Sequence, residues 1–332
     1  MEQITRGGAQ REARGEAVRV GVDLAKRVIQ VHTVDAAGRV LASRALARDK
    51  FIAWCAQLPA GCIVAMEASS SAHHWARKLI ALGLDARIIA AQLVSPYRRQ
   101  GASGKNDAND AAAICEAASR PQMHFIPVKS IEQQSMLCVH RLREGFKAER
   151  TGCINRIRGL LAEFGLVFAQ GPAALQAVLA EVLEDGANEM NTLARLVLQR
   201  AQLQWAELDC HIAWCDERIA AHGHANAEVK KAATLMGVGP VTASAVLATV
   251  GDFKQFSNGA QFGAWLGRVP RQHPSGGKAH LGGITKRGDT YVRSLANKNA
   301  RILWAVMTRG EAFDARHISV NPGAPAPAAT ST

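Results

Sequence analysis

Two aspartates at the start of an alanine-rich stretch have the residue type and the spacing of a metal-binding pair. Asp107 and Asp110 open a run that continues through Ala111 and Ile114 to Ala117. Alanine favours a helix, and residues three apart share one face of a helix, so both carboxylates point into the same volume. Two carboxylates repel unless a proton or a cation lies between them, and Mg²⁺ prefers oxygen ligands. Taken alone, however, the pair is better explained as an exposed acidic helix start.

The elements upstream bring two more carboxylates toward this pair. Apolar patterns predict strands at 18–23, 28–34, 39–45, 62–66 and 85–89, and helices at 49–58 and 72–82. Asp23 ends the first strand, and Glu67 lies just past the fourth. Ligands of open α/β sheets gather beyond the carboxyl ends of the strands, so we expect these two residues to converge with the aspartate pair on one metal site. Because Asp110 lies one helical turn deeper than Asp107, we predict that Asp107 lies farther from the metal or at a second ion.

The charge of the chain indicates a polyanionic partner. Its 332 residues carry 40 Lys or Arg against 28 Asp or Glu, a formal net charge of +12. From Lys231 onward there are twelve Lys or Arg and four Asp or Glu, so eight of the twelve excess charges lie in the last third. Lys and Arg neutralise phosphates and release counterions, which predicts nucleic-acid binding. A basic ribosomal or membrane-surface protein would match the total charge but not the acidic cluster.

The cysteines and the apolar runs predict a cytosolic protein. The seven cysteines are odd in number and lie mostly in apolar runs, as reduced buried thiols do. Cys210 and Cys215 are five apart without a second ligand pair, which argues against zinc. No signal peptide is predicted, because the N-terminus is polar and charged. No run of about 18 apolar residues would span a membrane.

Two long helices are predicted in the middle of the chain, at 128–164 and 191–221, with a loose segment between them. Apolar residues are expected to line one side of the second helix: Leu193, Val197, Ala201, Trp205, Leu208, Ile212 and Ile219. The pattern predicts a helical hairpin or coiled-coil stalk suited to dimerisation. Trp205 and Trp214 are interpreted as core or helix-interface residues. The charged face of the first helix fits solvation first and nucleic-acid contact second.

The last third contains two glycine-rich segments suited to phosphate binding. In the first, Gly237 and Gly239 precede a helix predicted at 242–250, a pattern that resembles a helix-hairpin-helix. In such a turn, backbone N–H groups and the N-terminus of the next helix face a phosphate. An ordinary tight Gly-Pro connection between two helices is the alternative.

The second segment combines glycines, basic residues and one serine. Gly276 and Gly277 allow a close approach of the backbone to a ligand. Five basic side chains supply charge for phosphates: Arg268, Arg271, Lys278, Lys286 and Arg287. Ser275 lies among them and is a candidate nucleophile, since a hydroxyl needs nearby activation and charge stabilisation to attack. From the pattern alone, a basic loop that only binds phosphate explains the segment at least as well.

These motifs resemble a single family. GVDLAKRVIQVHTVD, MEASSSAHHWARKL and KNDANDAAAICEA are similar to the DEDD transposases of bacterial insertion sequences, the one-ten family. The order of strands with Asp, Glu and a closing Asp-x-x-Asp resembles the ribonuclease H-like fold of RuvC-type Holliday-junction resolvases. GVGPVTASAVLATVGDFKQF, FGAWLGRVPRQHPSGGKAHLGGITKRGD and YVRSL resemble the C-terminal domain of the same family. The resemblance extends over residues 18–301.

The resemblance implies a fold class, α/β plus all-α. It implies a ribonuclease H-like (RuvC-like) domain at 17–127, a helical or coiled-coil stalk at 128–225 and a mostly helical C-terminal domain at 226–316 with the helix-hairpin-helix-like element. The flanking segments, 1–16 and 317–332, are predicted to be disordered from their composition.

The resemblance also implies a reaction and its partners. The implied protein is a bacterial cytoplasmic transposase that cuts and rejoins donor and target DNA, with Mg²⁺ held by Asp23, Glu67, Asp107 and Asp110. Ser275, which precedes Gly-Gly, would become covalently joined to DNA. A bridge RNA transcribed from the element would be the guide. The implied assembly is a homo-oligomer, a dimer or a tetramer, in which Ser275 of one protomer meets the carboxylates of another.

Two departures from the family pattern bear on activity. Pro274 precedes Ser275 where relatives often have a second serine, which removes the ambiguity over the nucleophile. Ala296–Ala300 stands where relatives often carry a His-Gly pair, which puts local packing and activity in doubt. Two other functions stay open: a metal-dependent RuvC-like nuclease or resolvase without a covalent intermediate, and an inactive nucleic-acid-binding remnant.

Overall fold

The computed structural model describes residues 16–98, 106–267, 269–275, 278–284, 292, 295 and 297–309. The chain divides into two units, one up to Ile131 and one from Glu132 onward. The boundary lies close to the predicted end of the first domain, whereas the finer domain limits stay predictions. The predicted tail at 317–332 and the first 15 residues of the predicted extension lie outside the described residues.

A six-stranded sheet forms the centre of the first unit. Its strands are β1 (Arg19–Leu24), β2 (Val28–Val34), β3 (Val40–Ala47), β4 (Ile63–Glu67), β5 (Asp85–Ile89) and β6 (Phe125–Ile126). The order across the sheet is β3-β2-β1-β4-β5-β6. β4 pairs in parallel with β1 and β5, and the other neighbouring strands pair antiparallel. The predicted antiparallel meander of the first three strands is confirmed, while β6 is too short for an apolar pattern to predict.

Helices cover both faces of this sheet. On one face, α1 (Phe51–Cys55) and α2 (Ala72–Ala81) bury Phe51, Trp75 and Leu79 against β1 and β4. On the other face lie α3 (Ala91–Val94) and α4 (Asp107–Ala117), with an apolar cluster around Ile89 and Ile114. Each of β1 and β4 is therefore buried on both sides, which explains why both strands are rich in apolar residues.

The second unit begins with a helical hairpin. It contains α5 (Ile131–Ala162), α6 (Pro172–Glu184) and α7 (Thr192–Ala225), which share one apolar core. The long helices run antiparallel: Arg143 Nε donates to Asp216 Oδ1 at 2.6 Å, and Arg150 pairs with Asp209 farther along. Part of the charged face of α5 thus pairs with α7 instead of being solvated. The segment expected to be loose forms the helix α6. Pro172 does not exclude a helix there, because proline is well suited to the first helical turn.

The buried face of α7 differs from the predicted one at its start. Leu193 and Val197 are 68% and 48% exposed, and Leu198 is buried instead, because the first turns of α7 pack against α6 as well as α5. Trp205 is 2% exposed, so its interpretation as a core residue is confirmed. Trp214 is 49% exposed and carries the Arg218 guanidinium over its ring, so it is not a core residue of this chain.

The rest of the second unit joins four helices and a hairpin. The helices are α8 (Ala227–Ala233), α9 (Pro240–Val250), α10 (Gly259–Trp265) and α11 (Asn297–Arg309), and they enclose an apolar core that includes Val246, Phe262 and Leu303. The strands β7 (Pro270–Ser275) and β8 (Lys278–Ile284) pair antiparallel. The segment predicted as a basic loop is therefore a β-hairpin, which its prolines and glycines conceal from strand propensity.

The segment that departs from the family pattern is packed. Asn297 lies against Gly263 of α10, and Asn299 Nδ2 donates to the carbonyl oxygen of Met236 at 2.9 Å. Ala300 is fully buried in the core. The described part of this segment, from Asn297 onward, is therefore held by specific contacts with α10, the α8–α9 turn and the core.

All seven cysteines are described, and all are free. Five are buried, in line with the expectation for most of the cysteines, whereas Cys138 and Cys210 are exposed. Among the described helices, none has the length and the apolar character needed to cross a membrane.

Candidate active site

Two small residues in neighbouring strands make room for α4. An added β carbon on Gly21 of β1 would lie 2.5 Å from the amide nitrogen and 2.7 Å from the β carbon of Cys115 in α4. Ala65 of β4 is the partner of Gly21 in the parallel register and is fully buried in the cluster that includes α4. Side chains alternate along a strand, so residues two positions later face the same side. Those residues are Asp23 and Glu67, which therefore face the side of the sheet that α4 covers.

The start of α4 is fixed by its cap. The Asn106 side chain accepts a hydrogen bond from the Asn109 backbone N–H at 2.8 Å, so the helix begins at Asp107. Asp107 and Asp110 thus occupy the first turn, where acidic side chains interact favourably with the helix dipole. Asp110 is only 8% exposed, whereas Asp107 is exposed. Their depths follow the order expected from the sequence.

A cation bridges two of the carboxylates. Arg98 follows the 3₁₀ turn Ser95–Tyr97; its Nη2 donates to Glu67 Oε2 at 2.6 Å, and its Nε donates to Asp110 Oδ1 at 2.8 Å. A guanidinium has five N–H donors, no acceptor and a permanent charge, which suits it to hold two carboxylates at once. Glu67 is the last residue of β4, not the first residue after it as predicted.

Three of the carboxylates raise the pKa of the fourth, Asp23. Burial raises the pKa of Asp23, and repulsion from Asp107, Asp110 and Glu67 raises this pKa further. The charge of Arg98 lowers it. The three elements β1, β4 and α4 thus bring the four predicted carboxylates into one electrostatic environment, although their role as metal ligands stays a prediction.

Ser275 lies at the tip of the hairpin. It is the last residue of β7 and pairs with Lys278, the first residue of β8. Arg271 lies within β7. The remaining predicted residues of this segment lie outside the described residues: Arg268, Gly276, Gly277, Lys286 and Arg287. Ser275 is thus the last described residue before the glycine pair in the sequence.

The glycine turn between α8 and α9 is present. Gly237 has φ +80°, a conformation that favours glycine, and an added β carbon there would lie 2.9 Å from Asn299 Nδ2. Gly239 caps α9, which begins at Pro240. The two helices and their tight turn match the predicted arrangement, and phosphate binding by the turn stays a prediction.

Comparison with known proteins decides the family. Residues 20–165 match the family model of DEDD-type IS110 transposases, and residues 229–317 match the family described as transposase IS116/IS110/IS902. A probable family 20 transposase of Pseudomonas aeruginosa is 42% identical, over 88% of this chain and 97% of the relative. The transposase for insertion sequence element IS1111A of Coxiella burnetii is 35% identical, over 89% of this chain and 90% of the relative. The transposase for IS1328 of Yersinia enterocolitica is 32% identical, with coverages of 89% and 98%.

This chain belongs to the IS110 family of transposases. It is a DNA transposase of an insertion sequence, and transposase domains of the DEDD type depend in general on a divalent metal ion. The two matched regions contain the carboxylates and the hairpin with Ser275, respectively. The sequence-derived resemblance to this family is therefore confirmed.

The carboxylates of this transposase are of the right chemical type to bind a divalent ion, but their side chains are not spaced as metal ligands. Four carboxylates are the hard oxygen donors that Mg²⁺ prefers. Yet within the described part of the chain, no three Asp, Glu, His or Cys side chains are close enough together to hold a metal ion. Around Mg²⁺, neighbouring ligand oxygens are about 3 Å apart and surround one ion. Here Glu67 and Asp110 surround no common centre, because each accepts from a different nitrogen of the Arg98 guanidinium. A metal-bound site would require the carboxylates to move together.

Two residues of the transposase site were not predicted from the sequence. Gly21 carries a usable signal, since a glycine inside an apolar strand often marks a close approach of another backbone. Arg98 carries no such signal: it is one of two consecutive arginines, and only the fold reveals that its side chain reaches residues 31 positions before it and 12 positions after it.

Proposed function

We propose that this transposase cuts and rejoins donor and target DNA through a covalent phosphoserine intermediate, with Ser275 as the nucleophile and Mg²⁺ at the DEDD site. The observation that carries the proposal is the arrival of four carboxylates at one place from β1, β4 and α4, in a member of this family. Asp23, Glu67 and Asp110 would hold the ion directly, with Asp107 farther out or at a second ion. A bound divalent ion would stabilise the charge that develops on the phosphate.

The architecture of the first unit supports a ribonuclease H-like, RuvC-like assignment. An antiparallel meander leads into parallel strands, with the order β3-β2-β1-β4-β5 across the sheet. Asp23 is the second-last residue of the central strand β1. Glu67 is the last residue of β4, the parallel neighbour of β1. This is the end of an open α/β sheet at which ligands bind.

The proposed chemical step is an exchange of phosphate esters. The Ser275 Oγ forms a bond to phosphorus, and the bond from phosphorus to one deoxyribose oxygen breaks. The serine proton is lost, and the leaving oxygen gains a proton and becomes a free hydroxyl. Rejoining is the reverse reaction with a hydroxyl of another strand, so the energy of the phosphodiester is conserved in the phosphoserine. Serine is a weak nucleophile at neutral pH and needs a base or a cation nearby.

The proposed partners are donor and target DNA, a bridge RNA and further copies of the chain in a dimer or a tetramer. The excess positive charge of the last third supports polyanion binding. Exposed apolar residues on α7 support pairing of protomers along the stalk, since Leu196 and Leu203 are 57% and 62% exposed. The composite site, with Ser275 of one protomer beside the carboxylates of another, is part of the same proposal.

Trapping the intermediate tests the proposal. The full chain is incubated with the RNA transcribed from its element, labelled donor and target DNA, and Mg²⁺, and then denatured. We expect a labelled protein–DNA adduct from wild type, none from Ser275→Ala, and an unchanged amount from the matched control Ser257→Ala. Metal-dependent nicking without an adduct would replace this proposal by the metal-only resolvase, and binding without cleavage would indicate an inactive remnant.

Mixing two inactive variants tests the composite site. Ser275→Ala supplies intact carboxylates and Asp23→Asn supplies an intact serine. If the site is shared between protomers, the mixture should recombine DNA although each variant alone does not. An inactive mixture of variants that still assemble with each other would show that serine and carboxylates must come from the same protomer.

A further inference from the structure

We propose that Arg98 occupies the cation position between Glu67 and Asp110, and that a divalent ion must displace its guanidinium to bind. The inference rests on the proposed metal site and adds to it a residue that controls its occupancy. Arg98 donates two charged hydrogen bonds, of 2.6 Å to Glu67 and 2.8 Å to Asp110. The bond to Asp110 lies within the range of about 2.7–2.9 Å that is typical of charge-assisted hydrogen bonds, and the bond to Glu67 is slightly shorter.

The guanidinium binds one oxygen of each carboxylate, Glu67 Oε2 and Asp110 Oδ1, and thereby fixes the orientation of both groups. A guanidinium carries its charge on a rigid plane, and its N–H groups hold the two carboxylates apart on different nitrogens. A metal ion requires ligand oxygens around one centre, at about 2.0–2.1 Å for Mg²⁺. The carboxylates that would serve as ligands are not grouped in that way in the described residues. Binding of the ion and release of Arg98 are therefore one exchange.

Arg98 is placed so that it can leave. Its side chain is 37% exposed, compared with 12% for Asp110 and 23% for Glu67, so the arginine is the more solvated member of each pair. Water and salt can therefore compete for the guanidinium charge more readily than for the carboxylates. While the ion is absent, the guanidinium offsets part of the repulsion among the carboxylates. The exchange thus lets the site stay folded without metal and lowers its apparent metal affinity.

Direct metal titration tests this exchange without nucleic acid or activity. Free Mn²⁺ is measured by electron paramagnetic resonance during titration of the full chain. Arg98→Gln should bind Mn²⁺ about tenfold more tightly than wild type, which corresponds to about 1.4 kcal/mol of lost competition. The matched control is Arg120→Gln. Arg120 forms an exposed ion pair with Glu116 of α4, so this variant removes the same charge away from the carboxylate site and should bind Mn²⁺ as wild type does.

A third variant separates the inference from the proposed metal site. Asp23→Asn changes a predicted ligand that is not held by an Arg98 hydrogen bond, and it should weaken Mn²⁺ binding. If Asp23→Asn weakens binding but Arg98→Gln does not strengthen it, Arg98 is a structural ion pair and the exchange is wrong. If Asp23→Asn binds Mn²⁺ as wild type does, the proposed metal site and the inference fail together.

A measurement on the wild-type chain covers the case in which Arg98→Gln does not fold. Phenylglyoxal modifies guanidinium groups that are free of carboxylate partners, and mass spectrometry reports the modified fraction at Arg98. Saturating Mn²⁺ should increase the modification rate at Arg98 several-fold relative to Arg120. A rate at Arg98 that Mn²⁺ leaves unchanged or decreases would overturn the exchange.

Discussion

Gly21 of β1 and Cys115 of α4 lie so close together that no β carbon fits between them. A β carbon added to Gly21 would lie 2.5 Å from the amide nitrogen of Cys115 and would also meet the carbonyl oxygen of Ala111. Both neighbours are backbone atoms of one helix, so neither can move without shifting α4. The separation of strand and helix determines how far Asp110 lies from Asp23.

Gly21→Ala is therefore expected to displace α4. Overpacking in a core costs about 1–3 kcal/mol of stability, and the shift also separates the carboxylates. We expect a lower free energy of unfolding in chemical denaturation and weaker Mn²⁺ binding by the part of the protein that remains folded.

Gly152→Ala is the matched control for this substitution. Gly152 lies on an exposed face of α5 with no other group within 4 Å of an added β carbon. Alanine in a helix is favoured over glycine by about 1 kcal/mol, so this variant should be as stable as wild type or more stable. A Gly21→Ala protein with wild-type stability and metal binding would show that the close approach is not required.

The sheet of the first unit could be predicted from the sequence because its signals are local. Buried strands produce short apolar runs, and turns interrupt them with glycine or aspartate. The strands β2 and β5 have their predicted bounds, and β1 and β4 each lie one residue later than predicted. The carboxylates at the ends of those strands could be placed for the same reason.

The ion pairs of Arg98 could not be predicted in this way. They depend on a long side chain that reaches two residues on different elements, and no periodicity encodes that choice. The hairpin around Ser275 was missed for another reason. Its strands contain Pro270, Pro274 and two glycines, which propensity assigns to loops, and strand pairing is a property of the backbone that propensity does not report.

The two tryptophans of α7 provide a test of which side of the stalk is core. Trp205 is 2% exposed and Trp214 is 49% exposed. Trp205→Ala should lower the free energy of unfolding by about 3–5 kcal/mol because it leaves a cavity. Trp214→Ala should lower it by less than about 1 kcal/mol in dilute protein. Equal losses in chemical denaturation would contradict the burial described above.

Salt should weaken DNA binding strongly if the last third binds phosphates. Each duplex phosphate neutralised contributes a slope of about −0.9 to a plot of log affinity against log salt concentration. Arg271→Ala should therefore make the slope less steep by about 0.9 in fluorescence-anisotropy titrations. Arg39→Ala removes an equal charge from the β2–β3 turn, where Arg39 pairs with Asp35, and should leave the slope unchanged. A slope that does not depend on Arg271 would exclude that residue as a phosphate contact.

Two histidines, one of them buried, join three helices of the second unit through one serine. His140 Nε2 of α5 and His222 Nδ1 of α7 lie 2.9 and 3.0 Å from the Ser244 hydroxyl oxygen of α9. His140 is 1% exposed and Ser244 is fully buried. Burial, together with the nearby charge of Arg143, lowers the pKa of His140 to about 4. Burial lowers the pKa of His222 as well.

Acid should therefore destabilise the second unit through His140. The pKa of this residue in the folded chain lies below the value of about 6.5 in an unfolded chain, so the unfolded state binds the proton first. The stability contributed by the neutral imidazole is present in full above pH 6.5 and is lost as the pH falls toward about 4. One proton gives a slope of up to about 1.4 kcal/mol per pH unit in this window. Chemical denaturation at a series of pH values should show a shallower slope for His140→Gln than for wild type. Parallel curves for the two proteins would mean that His140 is protonated equally in the folded and unfolded states.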